Sequence, residues 1–343
     1  MAAKLQLTDV TVRYGSGAGA LTAVDGVSLT VPSGGTVGLV GESGCGKSTI
    51  ARAVVALVPV ASGTITLDGV DHTDVRKRRT REFRRRVQMV FQDPYASLNP
   101  RITIGGMLVE ILAHIRKLRR AECRKEALRL LDLVGLPASA LDRYPHQFSG
   151  GQRQRAAIAR ALAVEPELVI YDEVTSALDV SVQGAILNLL RQLQSELRLS
   201  YVFISHDLAT VRYMSDTVSV MYLGRVVENV ATDELFDHPE HPYTRALMAS
   251  LPRLGGRRRP VPLKGDLPDP RKPPSGCRFH TRCPVGPKFN PERTVCIERD
   301  PQKSAAGKSH NAACHFADAA EDAPGEHVAS MPAPAPLGRR KGT

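Results

Sequence analysis

The chain has 343 residues, a hydrophobic content of 42% and a formal net charge of +11, enough apolar material for one large core or two modest ones. Its longest apolar stretch, AVVALVPVA at 53–61, is too short to span a bilayer, and no signal pattern precedes the first strand-like alternation, so an intracellular chain is expected. Much of the charge sits in runs at 76–86, 257–259 and 339–341 with only Phe83 interleaved, which argues against a base-stacking nucleic-acid surface and for a solvated basic face or one near anionic headgroups.

In chain order, LQLTDVTVRY and AVDGVSLTV read as strands broken by GSGAG and PSGG. The apolar run TVGLVG leads into ESGCGKSTIARAVVAL, where strand periodicity gives way to helical periodicity. Residues 102–146 read as a helical insert, with apolar residues at three- and four-residue steps that end at Gly135 and Pro137. A glycine-rich loop, FSGG, then opens the helix RQRAAIARALAVEP, followed by the apolar strand LVIYDE and a helix over about 182–197. The strand YVFISHD and two shorter ones, TVSVMYL and RVVENV, complete the pattern. Such alternation predicts an α/β fold with a largely parallel sheet covered on both faces. Prolines multiply beyond about residue 238, and 318–343 reads as a disordered tail.

GESGCGKS at 41–48 satisfies the G-x-x-x-x-G-K-[ST] pattern between an apolar strand and a helix. The expected phosphate-binding set is Gly41, Ser43, Gly44, Cys45, Gly46, Lys47, Ser48 and Thr49. The glycines let the backbone wrap the anion, Lys47 reaches the outer phosphates and Ser48 ligates magnesium. Cys45 holds a free position of the pattern and reads as a small filler. In ELVIYDE a buried strand ends in Asp172 and Glu173. Asp172 is expected to hold magnesium and Glu173 to polarise the attacking water as general base.

Further segments then fall into the order of an ABC-type ATPase, which the chain resembles: Tyr14, Gln92 in MVFQDP, SGGQ at 149–152, SALD at 176–179 and His206 in FISHD. The resemblance implies that Tyr14 stacks on adenine and Gln92 touches magnesium and water. It makes Ser149, Gly150, Gly151 and Gln152 a signature that caps the γ-phosphate held by an opposite cassette. Asp179 becomes the aspartate loop and His206 the switch histidine. The implied fold is a P-loop ABC-type ATPase with a RecA-like core sheet and an antiparallel β subdomain (1–92 and 161–237). A helical subdomain (93–160), a Cys-containing C-terminal extension (238–317) and the tail complete it.

VQMVFQDPYASLNPR, FSGGQRQRAAIARAL, TSALDVSVQ and HPYTRALMASLP are similar to the ATP-binding subunits of oligopeptide and dipeptide ABC importers, and the likeness reaches all but roughly the last 25 residues. What it implies is an ATPase using ATP and Mg2+ to power peptide import from the cytoplasmic face of the membrane. Its partners would be a second cassette (a copy or a paralogue) head to tail, two permease subunits and, indirectly, an extracytoplasmic binding protein. No nucleic acid is expected. Two rivals stay open: a cytosolic non-transport ABC ATPase and a metal-sensing regulatory ATPase.

Two departures stand out. Val174 replaces the usual proline after the catalytic glutamate, loosening that turn without removing a ligand. Cys277, Cys283, Cys296 and Cys314 are spaced C-x5-C-x12-C-x17-C, with a longer middle gap than in relatives. That spacing is neither a zinc ribbon nor a ferredoxin run. A 4Fe-4S cluster, which the resemblance implies for some members, a structural zinc and four reduced thiols all remain open.

Overall fold

The computed structural model describes residues 2–250, 265–301 and 310–317. The expected disordered tail and the basic runs at 257–259 and 339–341 lie outside the described residues. The strands are β1 (Ala3–Tyr14), β2 (Leu21–Pro32), β3 (Thr36–Val40), β4 (Ser62–Leu67), β5 (Val70–Asp71), β6 (Val87–Val90), β7 (Leu168–Asp172), β8 (Ser200–Ile204), β9 (Thr217–Tyr222), β10 (Arg225–Ala231) and β11 (Asn311–Ala312). The helices that matter for the site are α1 (Lys47–Val54), α2 (Val75–Arg78), α3 (Arg81–Arg86), α4 (Pro94–Ser97), α5 (Ile104–Ile115), α6 (Arg120–Leu133), α7 (Gly150–Leu162), α8 (Val180–Leu197), α9 (Leu208–Met214), α10 (Thr232–Asp237) and α11 (Pro242–Ala249).

Two sheets form. The first is four-stranded and antiparallel in the order β2-β1-β4-β5. In β1 the buried apolar residues run Leu5, Leu7, Val10, Val12, so the two-residue period slips by one at Asp9. Asp9 has φ +50° and the pairing with β2 shifts register there, the mark of a β-bulge that returns the apolar face to the core.

The second sheet has the order β11-β10-β9-β3-β8-β7-β6. From β6 to β9 neighbouring strands run parallel. Every residue of β3, β7 and β8 is buried, as strands covered on both faces require. The register levels their carboxyl ends, because Leu39 pairs with Ile204, Ile204 with Asp172 and Tyr171 with Val90. Residues 41–46, 172–173, 205–206 and 91–92 therefore emerge side by side, where ligands sit on open α/β sheets.

The insert is helical as its periodicity predicts. In α5, Ile104, Leu108 and Leu112 share one buried face and meet Ala127, Leu130 and Leu131 of α6 and Ala157 and Ile158 of α7 in one core. The basic run at 76–86 departs from the expected solvated face. Arg78 is fully buried and donates to the backbone carbonyls of Thr73 (2.6 Å) and His72. Arg86 pairs with Asp68 and, at 2.8 Å, with Glu167, which Lys4 reaches at 2.7 Å. The Arg86 hydrogen bond and the Lys4 contact, against the opposing effect of burial, draw the Glu167 carboxyl down to about 2. Two charges of the run are thus part of the fold.

Sequence patterning also does not reveal β11. It belongs to the C-terminal extension and closes the core sheet by pairing antiparallel with β10, Glu228 against Ala312 and Asn229 against Asn311. Next to it His310 hydrogen-bonds the fully buried Glu228 at 2.7 Å, so the extension is docked by both backbone and side chain.

Candidate nucleotide site

The loop after β3 is held open by glycine where no other residue fits. Gly46, at φ +108°, caps α1, and a Cβ there would meet the Ala23 carbonyl oxygen at 2.4 Å. Gly41, Gly44 and Gly46 all have positive φ, and Ser43 and Gly44 are exposed at the loop's tip. Lys47, 5% exposed, folds back over the loop and donates from Nζ to the carbonyls of Gly41 (2.7 Å) and Glu42 (3.0 Å). Cys45 is buried beneath it, and that burial pushes its thiol up, which fits a packing role rather than a nucleophile. Thr49 is half-buried in the first turn of α1.

Ser48 Oγ donates to Asp172 Oδ1 at 2.9 Å. Asp172 is 3% exposed, and burial raises its carboxyl, a shift that the Ser48 hydrogen bond opposes and the neighbouring Glu173 charge reinforces. A desolvated carboxylate beside a hydroxyl at the end of the 41–46 loop suits a hard divalent cation with oxygen ligands.

Glu173 turns away from its neighbour because its backbone is left-handed, φ +48°, a conformation that costs an L-residue about 1–2 kcal/mol. Its Oε2 accepts from Gln92 Nε2 at 3.0 Å and lies 3.5 Å from His206 Nδ1. Three side chains from three strand ends meet on one carboxylate oxygen. The turn beyond is closed by Ser176, whose N–H and Oγ both donate to the Glu173 carbonyl, at 3.1 and 2.9 Å. Val174 is 2% exposed and packs into the main core, so side-chain burial restrains the turn that a proline ring would otherwise stiffen.

Tyr14 closes β1 as an aromatic 37% exposed. Asp179 occupies the N-cap position of α8, exposed and with no side-chain cap bond. Ser149 caps α7: it accepts from Gln152 N–H (3.3 Å), and Gln152 Oε1 accepts from Ser149 N–H (3.1 Å), a reciprocal capping box. Gly150 begins the helix, and a Cβ on Gly151 would stand 2.5 Å from Val182, so glycine permits the approach of α8. The side-chain hydrogen bonds of Ser149 and Gln152 stay within their own turn, and the structure does not join them to the phosphate loop of the same chain.

Residues 24–176 match the family model described as ABC transporter, and residues 227–288 match the one described as Oligopeptide/dipeptide transporter, C-terminal region. The oligopeptide transport ATP-binding protein AppF of Bacillus subtilis is 48% identical over 303 residues, covering 87% of this chain and 90% of the relative. OppF of Salmonella typhimurium, also an oligopeptide transport ATP-binding protein, is 48% identical over 297 residues, 82% of this chain and 89% of the relative. The chain belongs to the ATP-binding subunits of the oligopeptide/dipeptide ABC transporters. Among solved structures, a dimeric post-hydrolysis ATP-binding cassette bound to ADP and Pi superposes with TM-score 0.60 at 30% identity, over 66% of this chain and 98% of that one. The cassette cbiO1 of Clostridium perfringens gives 0.61 at 28% identity, over 69% and 91%. This ABC subunit is therefore a P-loop ATPase in fold and family.

The extension of this ABC subunit carries the late cysteines. All six cysteines of the chain are free. Cys277, Cys283, Cys296 and Cys314 line one small pocket together with Phe279 and Phe316. The long middle gap loops out and returns Cys296 to Cys277, whose N–H donates to the Cys296 carbonyl at 2.8 Å. Burial pushes the thiols of Cys277 and Cys283 up to about 12 and raises those of Cys296 and Cys314. Among the described residues no three His, Cys, Asp or Glu side chains converge as one metal ion requires.

Residues that sequence patterning did not single out tie this extension to the cassette. Phe279 packs against Tyr222 and Tyr243 with ring centroids 5.2 and 5.3 Å apart. Arg278 reaches the Leu223 carbonyl and Asp25, and Asp25 also pairs with Arg225 at 2.8 Å. Arg282 grips Glu42 of the phosphate loop. One clue lay in the sequence: an acidic residue in a loop built for anions calls for a cation nearby.

Proposed function

We propose that the chain hydrolyses ATP to drive peptide import as one of two facing cassettes on the cytoplasmic side of a membrane. The observation that carries the catalytic part is the meeting of Gln92, Glu173 and His206 on one oxygen beside the Ser48–Asp172 pair. Tyr14 stacks on adenine, and residues 41–49 wrap the phosphates. Ser48, Asp172 and Gln92 would hold Mg2+, which would neutralise charge on the phosphates. Glu173 takes a proton from water as its oxygen bonds to the γ-phosphorus. The bond to the bridging oxygen breaks, ADP departs with that electron pair, and His206 steadies Glu173 from the other side. Ser149–Gln152, with the amino terminus of α7, closes over the nucleotide of the opposite cassette, whose own signature covers this one. Asp179 lies at that seam. The segments 1–92 with 161–237, 93–160 and 238–317 act as core, helical arm and extension.

Peptide as cargo rests on the oligopeptide relatives and on the match of the extension to their C-terminal region. No helix among the described residues is long and apolar enough to cross a membrane, so two permease subunits supply the pore in this reading, and a binding protein delivers the peptide. In liposomes holding those permeases, peptide-loaded binding protein is expected to raise ATP turnover several-fold; turnover indifferent to membrane partners would favour the non-transport reading.

The four late cysteines are assigned to a 4Fe-4S cluster, with zinc as the second reading. That reading rests on four thiols lining one pocket and on the family resemblance of the extension. When bound, the group would supply positive charge that lets buried thiols ionise and cross-links a segment poor in large apolar side chains. After anaerobic purification, about four iron and four sulfide per chain are expected. One zinc would support the second reading, and neither would leave four reduced thiols.

A further inference from the structure

Glu42 is a paradox within the proposed site. It is the second residue of a loop whose task is to hold a polyanion, and a bare carboxylate there would repel the phosphates. The structure answers that charge from 240 residues away. Arg282 clasps Glu42 with both terminal nitrogens, at 2.7 and 3.0 Å, in a bidentate pair. The Arg282 side chain is 6% exposed and that of Glu42 27%, so solvent screens the pair only in part. Tyr243, fully buried on α11, adds a second hold by accepting the Glu42 backbone N–H at 2.9 Å. Lys47 grips the carbonyls of Gly41 and Glu42 from inside the loop. The start of the loop is thus clamped between the lysine and the extension. Both outer contacts rest on the wall of the cysteine cavity, since Arg282 precedes Cys283 and Tyr243 follows Pro242, and both neighbours line it.

We propose that Arg282 and Tyr243 are positioning residues for ATP: Arg282 neutralises Glu42 and, with Tyr243, orients the mouth of the phosphate loop. The inference rests on the assignment of residues 41–48 to ATP. A charge-based role makes a prediction that a merely structural role does not. Removing the cation leaves Glu42 unpaired beside the phosphates, and removing the carboxylate as well should cure the defect.

The test is titration of the full-length protein with a fluorescent ATP analogue and Mg2+, alongside steady-state ATPase kinetics. Arg282→Gln is expected to weaken binding about tenfold, the scale of losing one charged partner, and to raise KM far more than it lowers kcat. Glu42→Gln/Arg282→Gln should return to within about threefold of the parent, and Arg282→Lys should fall between, keeping charge but losing the fork. Tyr243→Phe should give a smaller loss that Glu42→Gln does not repair. Unchanged affinity in Arg282→Gln, or an equal loss in the single and double variants, would overturn the proposal. Lys47→Ala in the same titration separates the two levels: if it binds as well as the parent, the ATP site is misassigned, whereas if it fails while Arg282→Gln binds normally, only the positioning role falls.

Discussion

Glu173→Gln is expected to cut ATP turnover by about 10²–10⁴-fold, the usual worth of a positioned general base, while ATP stays bound. The amide is nearly isosteric with the carboxylate, so its oxygen can still accept from Gln92 across the present 3.0 Å contact. What it cannot do is take a proton from water. The left-handed backbone at Glu173 and the Ser176 bonds to its carbonyl do not depend on side-chain charge, so the turn should persist. With hydrolysis blocked and the nucleotide retained, two cassettes should remain paired under saturating MgATP. Light scattering after gel filtration reads this directly, provided the cognate second cassette is present. A variant that stays monomeric, or that hydrolyses ATP at the parental rate, would remove Glu173 from its role.

Lys47→Ala should act one step earlier, weakening nucleotide binding by about 10–100-fold, as loss of a charge-assisted bond to phosphate predicts. The ammonium already lies inside the loop, bonded to the carbonyls of Gly41 and Glu42. Alanine therefore removes both the cation that would meet the outer phosphates and the internal tie that shapes the loop. Titration of the analogue, with a thermal melt to show that the cassette still folds, checks this. Parental affinity in a folded variant would mean that the loop does not hold the phosphates.

Much of this architecture is legible in the sequence because it is local. β3, β7 and β8 are short, fully buried runs, so each stands out as a continuous apolar segment ahead of a polar turn. The phosphate loop is legible for the same reason: glycine spacing, lysine and serine follow one another on the chain. Gln92, Glu173 and His206 are individually ambiguous, and only the resemblance placed them together; the level strand ends now supply the physical cause.

The rest depends on partners remote in sequence. Glu42 and Arg282 are 240 positions apart; the carboxylate calls for a cation, but no local pattern says which one. β11 is two residues long, too short for any alternation. Arg78 sits in a run of basic residues that reads as solvated, yet its charge is met by backbone carbonyls, which leave no periodic trace. Phe279 likewise seats the extension on the core through its aromatic contact with Tyr222 of β9, beside Tyr243 of α11 within the extension, although the segment around it is poor in apolar side chains.

The central claim, that this chain converts ATP hydrolysis into peptide import, is tested most directly by uptake. Proteoliposomes would carry the two permeases and both cassettes, with MgATP on the cassette side and radiolabelled peptide plus its binding protein on the other. Accumulation of peptide that requires ATP and disappears with Glu173→Gln is the predicted result. Robust ATP hydrolysis with no peptide accumulation, whatever the binding protein supplied, would contradict it.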